Sequence, residues 1–166
     1  MLYLTPGSED EIGHARTRDR VSRFSKGTVV YMMNNDDEIA VVMKHWSFPV
    51  KYDIEEQWKE NATNWKVEYY WLTGSSASNR EVFLIKNSKG DEIARTDRFR
   101  MDFDNTITVK DAKNGSLLGE IKRPTFQLFL TWEITVNNTD VLPAYLFGAI
   151  ATITTMTESD IGDKKK

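Results

Sequence analysis

Val141-Leu142-Pro143-Ala144-Tyr145-Leu146-Phe147-Gly148-Ala149-Ile150-Ala151-Thr152-Ile153 decides the fold. Asp140 ahead of it suits an N-cap and Pro143 falls in the first turn, which predicts a helix over 140–156. Val141, Leu142, Ala144, Tyr145, Leu146, Phe147, Ala149, Ile150, Ala151 and Ile153 then lie all round that helix. A helix apolar on every face must be surrounded by protein or by lipid. The run is shorter than the roughly 18 or more apolar residues that cross a bilayer, and Thr152, Thr154 and Thr155 dilute its end. Burial within the protein follows, with the helix enclosed by a strongly curved antiparallel sheet.

The preceding sequence supplies that sheet. Thr28–Met33 and Glu38–Lys44 flank Asn34-Asn35-Asp36-Asp37. The form recurs in Val82–Lys86 and Asp91–Arg95 around Asn87-Ser88-Lys89-Gly90, and again in Ile107–Asp111 and Ser116–Ile121 around Ala112-Lys113-Asn114-Gly115. Asp37-Glu38-Ile39-Ala40 and Asp91-Glu92-Ile93-Ala94 match letter for letter. Asn-Gly is a strong hairpin signal because both residues tolerate positive φ. Three such units predict a meandering antiparallel sheet. Trp65–Leu72 has strand propensity, Phe126–Leu130 and Trp132–Val136 add strand-like runs, and Asp53–Glu60 reads as a helical turn or a loop. Residues 1–15 read as an irregular lead-in, 16–157 as a single domain and 158–166 as a polar tail.

Composition narrows the chemistry. At 166 residues, 40% apolar and 28% charged, the chain suits one globular domain. A formal net charge of −3 gives no bulk attraction to nucleic acid or to anionic membranes, so such a contact needs a local basic patch. Absence of cysteine excludes disulfides, thiolate metal sites and cysteine nucleophiles, and suits the cytoplasm. With only two histidines, His14 and His45, a histidine metal site is not expected. The segment Met1–Gly7 has neither the basic nor the apolar region of a signal peptide. No G-x-S-x-G, H-E-x-x-H or P-loop occurs, and the chain reads as a non-enzyme with no cofactor and no metal.

The repeated hairpins, the Trp-containing strand and the apolar terminal helix together resemble the tubby C-terminal-like superfamily, most closely its LURP-one-related branch. The likeness is carried by Phe83–Ala94, Lys110–Gly115, Ile121-Lys122-Arg123, Thr131-Trp132-Glu133-Ile134 and the Ala144–Met156 segment. It implies a mainly β fold, an antiparallel twelve-stranded β-barrel enclosing a central hydrophobic C-terminal α-helix. The superfamily includes tubby proteins, which bind phosphoinositides, and phospholipid scramblases, but a shared fold does not transfer function. The acidic Asp102-Phe103-Asp104-Asn105 segment lacks the run of oxygen ligands that a tight Ca²⁺ site needs.

Basic residues are the candidate ligands. Arg16, Arg18 and Arg20 alternate, so in a strand they line one surface and can hold phosphates bidentately. The same pattern also suits the solvated face of an edge strand. Arg98-Phe99-Arg100 is the nearest match to the basic-x-basic pair of the tubby phosphoinositide site. Trp46, Trp58, Trp65 and Trp71 suit a ligand platform or, as strand aromatics, the core.

Three function classes are weighed. One is an intracellular binding module that takes an anionic phospholipid headgroup through Arg16, Arg18, Arg20, Arg98 and Arg100, in a peripheral, salt-sensitive contact without a transmembrane segment. A second is a protein-interaction or structural domain with no lipid ligand, and a third is an enzyme with an unfamiliar site, which a cleft holding convergent, pKa-shifted acids would revive. The helix reading carries a direct test: deleting residues 140–166 should leave insoluble protein, and a soluble, well-folded truncation would overturn it.

Overall fold

Turn chemistry sets the register of the sheet. The structure, a computed structural model, describes residues 2–4, 11–18, 29–34, 37–45, 47–57, 63–73, 79–99, 106–123 and 132–163. At residues 87–91 the Asn87 side-chain oxygen accepts from the Lys89 and Asp91 amides at 3.0 and 2.9 Å, and Gly90 takes a φ of +91°. At residues 111–116 the Asp111 carboxylate accepts from the Lys113 amide at 2.7 Å, Asn114 from the Ser116 amide at 2.8 Å, and Gly115 has φ +73°. Both turns follow one recipe: an Asx side chain folds over the amides ahead of it, and glycine supplies the left-handed residue.

These turns belong to an 11-stranded antiparallel sheet whose spatial order is its chain order. The strands are β1 (Leu2–Leu4), β2 (Glu11–Arg18), β3 (Val29–Asn34), β4 (Asp37–His45), β5 (Val50–Glu56) and β6 (Asn64–Thr73), then β7 (Asn79–Lys86), β8 (Glu92–Phe99), β9 (Thr106–Asp111), β10 (Leu117–Lys122) and β11 (Glu133–Val136). All three hairpins read from the sequence are present, as β3–β4, β7–β8 and β9–β10, and so is the Trp65 strand, as β6. Residues 126–130 lie outside the described residues. Among the described residues no pairing joins β1 to β11.

Three boundaries differ from the sequence reading. Residues 1–15 contain β1 and part of β2, and β2 lies between β1 and β3 rather than at an edge. Residues 53–56 are strand, because Tyr52, Ile54 and Glu56 are buried while Lys51, Asp53 and Glu55 alternate outward. The helix α1 runs Ala144–Asp163, starting later and ending later than 140–156. Asp140 is taken up in a turn, where its amide donates to the Asn138 side chain at 2.8 Å, and Pro143 stands just outside the first helical residue.

The core lies between the sheet and α1. Every residue from Leu146 to Thr154 is buried, a stretch longer than two helical turns, so protein covers the helix on all sides. It also touches well-separated parts of the sheet. Tyr145 donates to the Glu56 carboxylate at 2.8 Å, and the Tyr52 and Thr157 hydroxyls meet at 3.0 Å, both contacts involving β5. On the other side Phe147 packs against Gly119 of β10, and the Trp132 indole donates to Thr155 at 3.0 Å just before β11. Strands five places apart can touch one helix only if the sheet curls around it.

The threonines that dilute the apolar run are compatible with burial. Thr152, Thr154, Thr155 and Thr157 each donate to the carbonyl four residues back, at 2.8–3.0 Å. No described helix is long and apolar enough to cross a membrane.

Sheet and helix approach each other closely at Gly119. A Cβ there would collide with the Thr135 carbonyl oxygen and stand 2.6 Å from the Phe147 ring. Gly119→Ala is therefore expected to destabilise the fold by about 1–3 kcal/mol through overpacking, read as a lower urea midpoint. An unchanged midpoint would contradict this packing.

Candidate functional site

Strand parity divides the charged residues into an inner set and an outer set. On β8 the inward positions are Ala94, Thr96 and Arg98, all buried. Arg98 is 2% exposed, its Nη1 lies 2.9 Å from Glu81 Oε2 on β7, and its guanidinium sits 5.9 Å from the Trp132 ring centroid. The other Glu81 oxygen accepts from the Tyr69 hydroxyl at 3.1 Å. Arg123 stacks on the same Trp132 ring at 4.1 Å. Arg98 is thus an interior ion-pair residue and does not lie on the outer surface. Arg16 and Arg18 lie in β2, where their backbones pair with Tyr31 and Val29. Arg20, Arg100 and the Asp102–Asn105 segment lie outside the described residues. The structure therefore does not bring the five arginines into one described site. Of the tryptophans, Trp65 and Trp132 belong to the core.

The outer face of β4–β7 carries a different constellation. A groove of about 410 Å³ is lined by His45, Lys51, Asp53, Lys66, Glu68, Lys86 and Gly90. Register brings these residues together: His45 opposes Lys51, Lys51 opposes Glu68, Asp53 opposes Lys66, and Lys66 opposes Lys86.

Glu68 is the hub. Its Oε2 accepts from Lys86 Nζ at 2.8 Å and from the Tyr70 hydroxyl at 2.9 Å, while Lys51 Nζ approaches Oε1 at 3.8 Å. Asp53 is engaged by His45, whose Nε2 is 2.7 Å from Oδ2. Lys66 forms no ion pair among the described residues. The Lys86 hydrogen bond, aided by Tyr70 and outweighing the effect of burial, holds the Glu68 carboxyl below its ordinary range. The same bond holds the Lys86 ammonium above its ordinary range, and the bond to Glu68 likewise raises Tyr70. The signs differ for the two partners. Glu68 contributes stability above the usual carboxylate range and loses it as pH falls through its lowered value. Lys86 contributes below the usual lysine range and loses its share as pH rises through its raised value.

Two lysines directly opposite each other across a ladder are unfavourable for the fold. Glu68 relieves Lys86, while Lys66, opposite Asp53 on β5, makes no direct ion pair among the described residues because Asp53 is turned to His45. The groove therefore offers ammonium donors to an anion. Among the described residues no cluster of three or more His, Asp or Glu is placed to hold a metal ion. The groove was not legible along the chain, since its residues come from four strands and meet only through register. The alternation of Lys51, Asp53 and Glu55 was the available signal.

Compared with known proteins, the chain matches no family model, no curated protein and no solved structure.

The inner ion pair gives a clear expectation. Arg98→Met leaves Glu81 buried without its cation and should cost about 3–5 kcal/mol, whereas Glu81→Leu combined with Arg98→Met should recover most of that loss. Guanidinium denaturation of both variants checks this, and a single variant as stable as the parent would contradict the buried pairing.

Proposed function

We propose that this chain is a non-enzymatic binding module that holds an anionic phospholipid headgroup peripherally, on the outer face of its sheet. In this reading the described strands belong to a twelve-stranded barrel of the tubby-like, LURP-one-related kind, working in the cytoplasm at membrane surfaces. Two features support it: the strands follow one another in a single antiparallel meander, and α1 is buried on every side. A barrel filled by its own helix leaves the outside as the place for a ligand.

The observation that carries the proposal is the lysine groove. Lys51, Lys66 and Lys86 converge from three adjacent strands, and Lys66 makes no direct ion pair among the described residues. Ammonium groups act as point-charge donors toward phosphate oxygens. A local patch of this kind supplies what a chain of net charge −3 lacks in bulk.

Vesicle co-sedimentation tests it. Binding is expected to phosphatidylcholine vesicles containing phosphatidylserine or phosphoinositide at low salt, to fade as salt rises, and to be absent with phosphatidylcholine alone. Lys66→Glu should weaken binding by about tenfold or more, at about 1 kcal/mol per lysine near an anionic surface. Failure to bind acidic vesicles at low salt would overturn the proposal.

A further inference from the structure

The hairpin joining β4 to β5 ends in Ser47-Phe48-Pro49, directly beside the groove. His45 and Lys51, which line the groove, are the last cross-strand pair before this tip. Phe48 is fully exposed at 103%; among the described large hydrophobic residues only Leu117, at 41%, is also exposed. The tip is pinned by a hydrogen bond from the Ser47 hydroxyl to the Pro49 carbonyl at 2.6 Å. Phe48 does nothing for the core. Its ring is presented to water by a braced turn, with the exposed side chains of His45 and Lys51 on its two flanks.

We infer that Phe48 is a membrane wedge: it enters the acyl boundary of an anionic bilayer while His45, Lys51 and the groove behind them meet the headgroups. This rests on the headgroup reading above and adds an orientation, with the β4–β5 tip toward the membrane. Charge complementarity selects the bilayer over a protein surface. An aromatic anchor for a protein partner is normally ringed by groups that exclude water, whereas the described neighbours of Phe48 are hydrated. An exposed aromatic ring beside Lys51 and the lysines of the groove matches an interface that is apolar below and anionic above. One apolar insertion combined with a basic patch also makes peripheral attachment firm where either alone is marginal.

The absence of native cysteine makes the test clean. A single cysteine replaces Phe48, or as a control Asn114 in the distant β9–β10 turn, and carries an environment-sensitive nitrobenzoxadiazole label. With phosphatidylcholine/phosphatidylserine vesicles the label at 48 should shift to the blue and be quenched by acyl-chain nitroxides, while the label at 114 should change little. Unlabelled Phe48→Ser should keep the parent's thermal midpoint and bind these vesicles about tenfold more weakly, as expected for one buried aromatic ring. Vesicle binding with an unchanged spectrum at 48 and full affinity in Phe48→Ser overturns the wedge, leaves the lysine groove standing and makes the tip a contact for a protein partner. Absence of vesicle binding altogether overturns both.

Discussion

The buried residues of β4–β10 form one apolar cluster with α1, and the burial of that helix is the constraint on which the rest depends. Hydrophobic burial supplies the drive, but it is non-directional and does not by itself say how deep the helix sits or how it is rotated. Depth and rotation come from directional contacts: Tyr145 with Glu56 near the start of the helix, and Thr155 and Thr157 with Trp132 and Tyr52 farther along. On β5, Tyr52 and Glu56 are about 13 Å apart at the rise of a strand, while Tyr145 and Thr157 on the helix are about 18 Å apart. Two long tyrosine side chains bridge the difference. Burial, reinforced by the bond to Glu56, also pushes the Tyr145 phenol far above its ordinary range, so it remains a hydrogen-bond donor.

The two sides of the strands divide the work. Inward positions of β4–β8 build the core that α1 joins, and Glu81 among them is met by Arg98 and Tyr69. Outward positions of β5–β7 carry the alternating charges of the groove. Because parity is fixed by register, the filled interior and the charged exterior are set by the same hydrogen-bond ladders.

How much of this is visible in the chain depends on the range of the interaction. The three hairpins are legible because their signals, Asx turns and positive-φ glycines, are local. The burial of the helix is legible because its apolar residues occupy every face. The strand through Asp53-Ile54-Glu55-Glu56 is hidden, since the partner that makes Glu56 tolerable inside, Tyr145, is 89 residues away. Arg98 is misdirected for a related reason: both faces of β8 carry polar groups, Arg95 and Asp97 outward, Thr96 and Arg98 inward, so alternation gives no sign of which way is in. The groove is a property of four registered strands and has no contiguous motif.

The order of elements along the chain bears on how the fold is made. Each strand pairs with its immediate successor, so the whole ladder can zip through short loops at small entropic cost. The element that fills the core follows all eleven described strands, and its contact with β5 spans 105 residues. During synthesis from the N-terminus the meander therefore emerges with its apolar lining uncovered and waits for the plug. Until α1 arrives, that lining is the surface a chaperone or an unwanted neighbour would meet.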